Sequence, residues 1–431
     1  MIERLRSHAP FLVLLILLTA VALRELPAIP FHPDESTNLY LAAEPHLLLT
    51  EFGSIPWFPG EEIDLRTHYR MVDPPFIRYW LGVILALSGE KPLDADWDWS
   101  QTWDENAVRG AVPAPNLLLT ARVGVAILIP ITLTFMYLVG TQIGGRLTGW
   151  LATLYLGTHP LLLLHGRRAM SEGGLVLGVV VALWIFLQAP KRPWIVALGA
   201  AFAFSTKHSL LPLAIAGWIA VLWTDGKLFS QKTIWRTVQY FGVFALVTLV
   251  LNPVLWRTPL QTLQTATARR TALMARQTAE FAEFAPEQVL QAPTERAIIM
   301  LGHVFIAPLM YADVGNYADQ TRAQEQAYTE RFGQVWIRNF VGGVVFFSLW
   351  LFGLVTSVLY LRKANENEHR ALILAGISTG GQIAALLLAI TLPFQRYWMP
   401  VLPFVALFTA FGVSRVVLLA NRRAGDHESS R

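Results

Sequence analysis

Long apolar runs separated by polar segments dominate the chain, on a spacing that a bilayer sets rather than a water-soluble core. A helix that crosses a bilayer needs ~20 mainly apolar residues. Ten segments approach that pattern: about 10–26, 117–140, 147–164, 173–190, 193–206, 208–224, 237–256, 335–361, 371–392 and 399–420. They predict an all-α polytopic membrane protein, a single transmembrane domain over 1–431. The fifth and sixth runs are short and flank Ser205-Thr206-Lys207-His208-Ser209, which predicts a tight helical hairpin with a polar tip. One long kinked helix is the alternative. The first run also admits a signal peptide, because Ala20-Val21-Ala22 resembles a small-residue cleavage site. The apolar stretch continues to Leu26 without a polar end, which favours a retained span.

Two polar stretches are long. The first covers about 27–116 with 14 acidic and 5 basic residues; the second, about 257–334, has 8 acidic and 7 basic. Within the first, Leu39–Phe52 has apolar residues at helical spacing. Pro75–Ser88 is an apolar run too short to span comfortably, introduced by Pro74-Pro75. Both read as helices lying in the membrane interface. Gln261–Phe284 and Arg296–Met310 are helix candidates in the second stretch, and Ala424–Arg431 reads as a frayed end. If ten spans alternate, Arg4, Arg6, Arg146, Lys191, Arg192, Lys227, Lys232, Arg236, Arg362, Lys363, Arg370, Arg422 and Arg423 share one side. By the positive-inside rule that side is the cytoplasm. Both termini then face inward and both long loops face outward.

Composition sharpens this reading. Hydrophobic residues make up 54% of the 431 and charged residues only 15%, with a mean hydropathy of +0.44, which excludes an ordinary soluble enzyme and a disordered chain. The net charge of +4 is too small to argue for nucleic acid. With no cysteine there is no disulfide, thiolate metal site or cysteine nucleophile.

Polar residues beside a membrane are costly, so they point to chemistry. The first outer element reads Phe31-His32-Pro33-Asp34-Glu35-Ser36-Thr37-Asn38. Pro33 precedes a helical pattern, so Asp34 and Glu35 sit where a helix N-terminus stabilises negative charge. Asp34 reads equally well as a plain N-cap. Asp73 stands directly before the Pro74-Pro75 helix start and is either a cap or part of a site. Arg167 and Arg168 in His165-Gly166-Arg167-Arg168-Ala169-Met170-Ser171-Glu172, Lys207 at the hairpin tip, and Arg396 in Gln395-Arg396-Tyr397-Trp398-Met399-Pro400 are the basic residues of the short outer turns. They suit either lipid headgroups or an anion site, with phosphate as the fitting anion. Asp94–Asp104 interleaves Trp97, Trp99 and Trp103 with acids. Such a segment either stacks on sugars or belongs to an aromatic belt.

An early Asp-Glu pair after the first span, a Pro-Pro-aromatic helix, Ala121-Arg122 opening the second span, Lys207 between two short spans and Arg396-Tyr397 before Pro400 together form a pattern. It resembles the GT-C-fold glycosyltransferases that use polyprenyl-phosphate sugars, such as the protein O-mannosyltransferases and the lipid A aminoarabinose transferases. The resemblance covers the whole chain and implies about ten transmembrane helices with interfacial helices in the first outer loop. It implies transfer of a sugar from a polyprenyl-phosphate donor to an acceptor hydroxyl of a protein, lipid or glycan outside the membrane; the basic inside loops and the lack of eukaryotic sorting signals point to a prokaryotic inner membrane. Asp34 matches the catalytic acid of the first loop and is the candidate base of an inverting reaction. Glu35 matches its partner, Glu172 a second acidic position, and Arg396 the arginine near the lipid phosphate. Tyr397 and Lys207 accompany it, with Arg167 and Arg168 as further phosphate ligands. Asp73 matches a carboxylate that helps hold a metal in the aminoarabinose transferases, while Pro74 stands where those relatives carry a lysine. A divalent ion would then sit among Asp34, Asp73 and a histidine such as His68 or His303. Some relatives carry an extra C-terminal domain that has no counterpart after the tenth span.

Three other classes fit the sequence less well. A secondary transporter should show repeated halves and midplane charges, whereas the polar residues here cluster at span ends. An oligosaccharide polymerase or ligase would carry its large outer loop late. A scaffold or lipid scramblase leaves the acidic loop and its opposing cations without a purpose.

Overall fold

The computed structural model describes residues 2–223, 230–331 and 339–429. Residues 335–338 of the eighth apolar run and Lys227 lie outside them. All regular structure among the described residues is helical. The N-terminal third comprises α1 (Ile2–Leu23), α2 (Pro33–Leu41), α3 (Glu44–Thr50), α4 (Leu65–Val72), α5 (Phe76–Ser88) and α6 (Trp103–Val108). The middle third runs through α7 (Pro115–Ala126), α8 (Leu128–Gly144), α9 (Arg146–Thr158), α10 (Pro160–His165), α11 (Ser171–Gln188), α12 (Pro193–Thr206), α13 (Leu211–Leu222) and α14 (Gln231–Leu251). Then follow α15 (Pro259–Phe284), α16 (Pro293–Leu301), α17 (Ala318–Arg331), α18 (Phe340–Tyr360), α19 (Glu366–Ala389) and α20 (Leu402–Ser429).

Each of the ten apolar runs is helical over most of its described length. Six helical stretches are long and apolar enough to cross a bilayer: Pro115–Gly144, Ser171–Gln188, Gln231–Leu251, Phe340–Tyr360, Glu366–Ala389 and Gln395–Asn421. They make this an integral membrane protein. Ala9–Leu23, Pro193–Thr206 and His208–Leu222 are apolar but shorter, and the third run breaks into α9 and α10 at His159-Pro160. Proline at the first helical position, with no N–H to donate, starts α10 and ends α9 in the same step.

Some sequence expectations need correction. Leu39–Phe52 is not one helix: Pro45 opens α3 after a turn at Ala42-Ala43. Arg296–Met310 is α16 followed by a π-helical turn over Gly302–Ile306, which stops ahead of Pro308. The tail beyond Ala424 continues α20 as far as Ser429. The polar pentapeptide 205–209 does form a hairpin. Lys207 is extended at φ −161°, a single 3-10 turn follows over His208–Leu210, and α12 and α13 pack against each other.

Burial separates central from peripheral helices. The apolar windows of α11 and α20 are 67% and 72% buried, against 11% for α14 and 22% for α18. The first two form the middle of the bundle, and the other two present apolar surface outward, where lipid would meet it. Helices approach closely through small residues, as is common where van der Waals contact drives association. Gly140 meets Gly149 between α8 and α9, and Gly353 meets Gly412 between α18 and α20. A methyl at Gly353 would run into the Phe408 carbonyl oxygen, which is backbone and cannot step aside. Gly353→Ala is expected to lower the unfolding midpoint in detergent by the equivalent of about 1–3 kcal/mol. An unchanged midpoint would show that the two helices separate freely.

Candidate active site

Helix α2 sets the first acidic residue. Pro33 supplies a preset φ at its first position, and His32 caps it: Nδ1 accepts the Asp34 N–H at 3.1 Å. In return the Glu35 carboxylate accepts the His32 N–H at 3.1 Å, completing a capping box. Asp34 is therefore not the cap. Its carboxylate pairs with Arg396, from the 3-10 segment Gln395–Val401 ahead of α20. Asp313, in the loop between α16 and α17, forms an ion pair with the same guanidinium, its Oδ2 2.6 Å from Nε but off the N–H axis, and lies 3.1 Å from His32 Nε2. Because Nδ1 of His32 is an acceptor, its Nε2 is the donor to Asp313. Burial pushes the Asp34 and Asp313 carboxyls up, but Arg396 outweighs it and, with the His32 hydrogen bond to Asp313, holds both below the usual carboxylate range.

Glu35 has a different fate from its neighbour. It is fully buried, and Arg122 of α7 binds it through Nε at 2.8 Å and Nη2 at 2.7 Å, with the Ala169 N–H at 2.9 Å. Arg122 also donates to the Leu26 and Ile29 carbonyls at 3.0 and 2.7 Å. The pair ties the end of α1 to α2, α7 and the turn before α11. Glu35 does not line the cavity beside Asp34.

Arg167 and Arg168 are likewise absent from the cavity lining. Both are fully buried. Arg167 donates to the Arg24 carbonyl at 3.0 Å and the Tyr328 hydroxyl at 2.9 Å; Arg168 donates to the Pro30 and Tyr311 carbonyls at 3.1 and 2.8 Å. They staple loops rather than face a ligand. Lys207, in contrast, lines the cavity, with Nζ 2.6 Å from Ser171 Oγ and 3.2 Å from Glu172 Oε1. Glu172 is buried behind it as its counter-ion, so the hairpin tip is pinned to the N-terminus of α11.

The cavity measures about 1380 Å³, above the ~300–1,000 Å³ common for small-molecule sites. Asp34, Asp313, Arg396, Tyr397 and Lys207 share its wall with Asp73, Arg78, Arg270, Asp96, Trp97 and Trp99. One region is cationic, where Arg78, Arg270 and Lys207 surround His208. Another is acidic and aromatic. There Asp96 accepts the Tyr69 hydroxyl at 2.6 Å, and burial keeps its carboxyl above the usual range. Trp97 is 2% exposed and packs edge-on against Trp103, which stands edge-on to Phe31 in turn. Trp99 is 39% exposed and borders the cavity. Of the three tryptophans, Trp103 lies behind the wall as support.

The residues do not fit the divalent ion that the sequence resemblance raised. Among the described residues no group of three or more His, Asp or Glu could hold a metal. Asp34 faces Arg396, Asp73 lies 3.8 Å from Arg270, and His68 lies 3.4 Å from Arg269. These guanidiniums already neutralise the carboxylates and would repel a second cation. His303 sits in the π-helical turn, away from the cavity lining.

Sequence reading missed Asp313, His32 and Arg270. No motif marks Asp313 in Tyr311-Ala312-Asp313, and its partners lie 281 and 83 positions away. Arg122 did carry a signal, being an arginine within an apolar run, where a buried partner is obligatory.

With this geometry in hand, comparison with solved structures defines the fold. ArnT from Cupriavidus metallidurans bound to undecaprenyl phosphate superposes with a TM-score of 0.51 and 13% identity, over 94% of this chain and 60% of that one. The Archaeoglobus fulgidus oligosaccharyltransferase in complex with Zn and sulfate gives 0.54 at 13% identity, over 95% of this chain and 50% of that one. AglB from the same organism, with an inhibitory peptide and a dolichol-phosphate, gives 0.53 at 14% identity, over 97% and 51%. These neighbours are GT-C glycosyltransferases, and the chain has their fold. It spans about half to 60% of their length. No family model and no curated protein matches it.

Proposed function

We propose that the protein is a membrane glycosyltransferase that moves a sugar from a polyprenyl-phosphate donor to an acceptor hydroxyl on the outer face of the membrane. The observation that carries this reading is the Asp34 carboxylate facing a large cavity, against Arg396 and on the same wall as Lys207. The shared fold supports it, since the ArnT and AglB neighbours hold undecaprenyl phosphate and a dolichol-phosphate. In this reading the ten apolar helices all cross or dip into the bilayer, α3 and α5 lie in its interface, and both termini are cytoplasmic.

In the reaction the acceptor oxygen attacks the anomeric carbon and forms the new glycosidic bond. The bond from that carbon to the phosphate oxygen breaks, and its electron pair leaves with the phosphate. Asp34 takes the acceptor's proton, so the configuration inverts. Arg396 and Lys207 meet the charge that develops on the departing phosphate, with Tyr397 beside them. Trp99, with Trp97 behind it, offers a face for sugar stacking, and Asp96 offers an acceptor for hydroxyls. Glu35, Arg122, Arg167 and Arg168 hold the loops that carry these groups.

The test is transfer in proteoliposomes supplied with radiolabelled polyprenyl-phosphate sugars and a cell-envelope acceptor extract. Wild type is expected to move label off the lipid. Lys207→Gln is expected to slow this by about 10²–10³. A folded protein that transfers nothing across a broad donor panel, yet shows donor-independent flux, would favour a transporter.

A further inference from the structure

Arg396 carries two carboxylates on different atoms, and their surroundings differ. Asp313 sits at Nε; its side chain is 5% exposed and His32 holds it from behind. Asp34 sits at Nη1, and its side chain is 29% exposed toward the cavity. Both carboxylates border the cavity, but Asp313 is nearly covered and braced by His32, whereas Asp34 is the more open of the two. We propose that Asp313 is a positioning residue that tethers Arg396 by its ion pair on the Nε side, so that the Nη1 end passes from Asp34 to the donor's phosphate when donor binds.

This rests on the reading of Asp34 as base and Arg396 as phosphate ligand. A guanidinium offers five N–H donors in a rigid fork, and a phosphate offers more charge and more acceptor oxygens than a carboxylate. A phosphate at the cavity wall therefore outcompetes Asp34 for the outer end, while the buried Asp313 contact stays. Asp34 then loses its counter-charge and becomes a stronger base. Proton removal from the acceptor thus waits until donor is in place. No bond is made or broken in the exchange; a cation changes partners.

The experiment measures equilibrium binding of undecaprenyl phosphate and, separately, single-turnover transfer, with the unfolding midpoint of each variant recorded. Asp34→Asn is expected to bind undecaprenyl phosphate about 5–100-fold tighter than wild type, because its competitor is gone. In an Arg396→Gln background the same substitution is expected to give no such gain. Asp313→Asn is expected to keep its affinity within about threefold while transfer falls roughly 100-fold, as for a misaimed group. An equal gain in both backgrounds would mean simple charge repulsion and overturn the exchange. Equal affinity of Asp34→Asn and wild type would also overturn it, while loss of transfer in that variant would leave the base assignment standing. A proportional loss of affinity and rate in Asp313→Asn would make Asp313 a structural residue only. If wild type itself fails to bind undecaprenyl phosphate, the donor reading falls and this inference with it.

Discussion

Asp34→Asn is expected to slow sugar transfer by about 10²–10⁴ while the protein stays folded, because the amide keeps the size of the carboxylate while removing its basicity and its charge, and Arg396 keeps Asp313 as a counter-ion. The position tolerates the change: the side chain borders the cavity, and the helix cap is supplied by His32 rather than by Asp34. The same geometry predicts the pH dependence. Arg396 holds the Asp34 carboxyl below the usual carboxylate range, so the ionised, active form of the free enzyme persists downward in pH. The acid limb of kcat/KM should fall below about pH 4, the ordinary range for aspartate. The acid limb of kcat, which reports the donor-loaded enzyme, should lie higher if Arg396 has moved to the phosphate. A full-rate Asp34→Asn enzyme would remove Asp34 from the mechanism outright.

Glu35→Gln is expected to act on stability rather than chemistry, although it neighbours the base. The Glu35 carboxylate answers a fully buried Arg122 with two hydrogen bonds and accepts two backbone N–H groups. Removing the charge leaves a guanidinium buried without its counter-ion, a change worth about 3–5 kcal/mol. The unfolding midpoint should fall steeply, and the protein that remains folded should turn over at close to the wild-type rate. A double change of Glu35 and Arg122 to leucine should recover only part of the loss, since it removes the buried charge but leaves the His32 and Ala169 N–H groups and the Leu26 and Ile29 carbonyls without these partners. Loss of transfer with an unchanged midpoint would instead put Glu35 in the chemistry.

The two adjacent acids show where sequence reading stops. Asp34 and Glu35 share a helix start and a charge, and nothing in the local pattern separates them. In the fold one pairs with Arg396 at the cavity wall and the other pairs with Arg122 in the interior. Arg167, Arg168 and Lys207 are likewise all cations in short turns. Lys207 reaches the cavity because the hairpin tip is extended, whereas the two arginines turn inward onto carbonyls left by the ends of α1 and nearby loops. Asp313 is the extreme case. It lies in an unremarkable loop and becomes a site residue only because that loop folds over Arg396.

By itself the sequence determined the helical class, the apolar runs, the Pro-started helices and the hairpin at Lys207. Each of these depends on neighbours within a few turns: hydrophobic length, a missing N–H at proline, a polar break between short runs. It also marked Asp34, Lys207 and Arg396 as unusual, because charge beside apolar runs is costly wherever it sits. Tertiary structure alone decided which charges pair. An ion pair forms between groups within a few ångströms, and here the partners are 362 positions apart for Asp34 and Arg396 and 87 for Glu35 and Arg122. Burial then sorted them, leaving at the cavity the charges with open space in front and turning the others into joints that hold the loops in place.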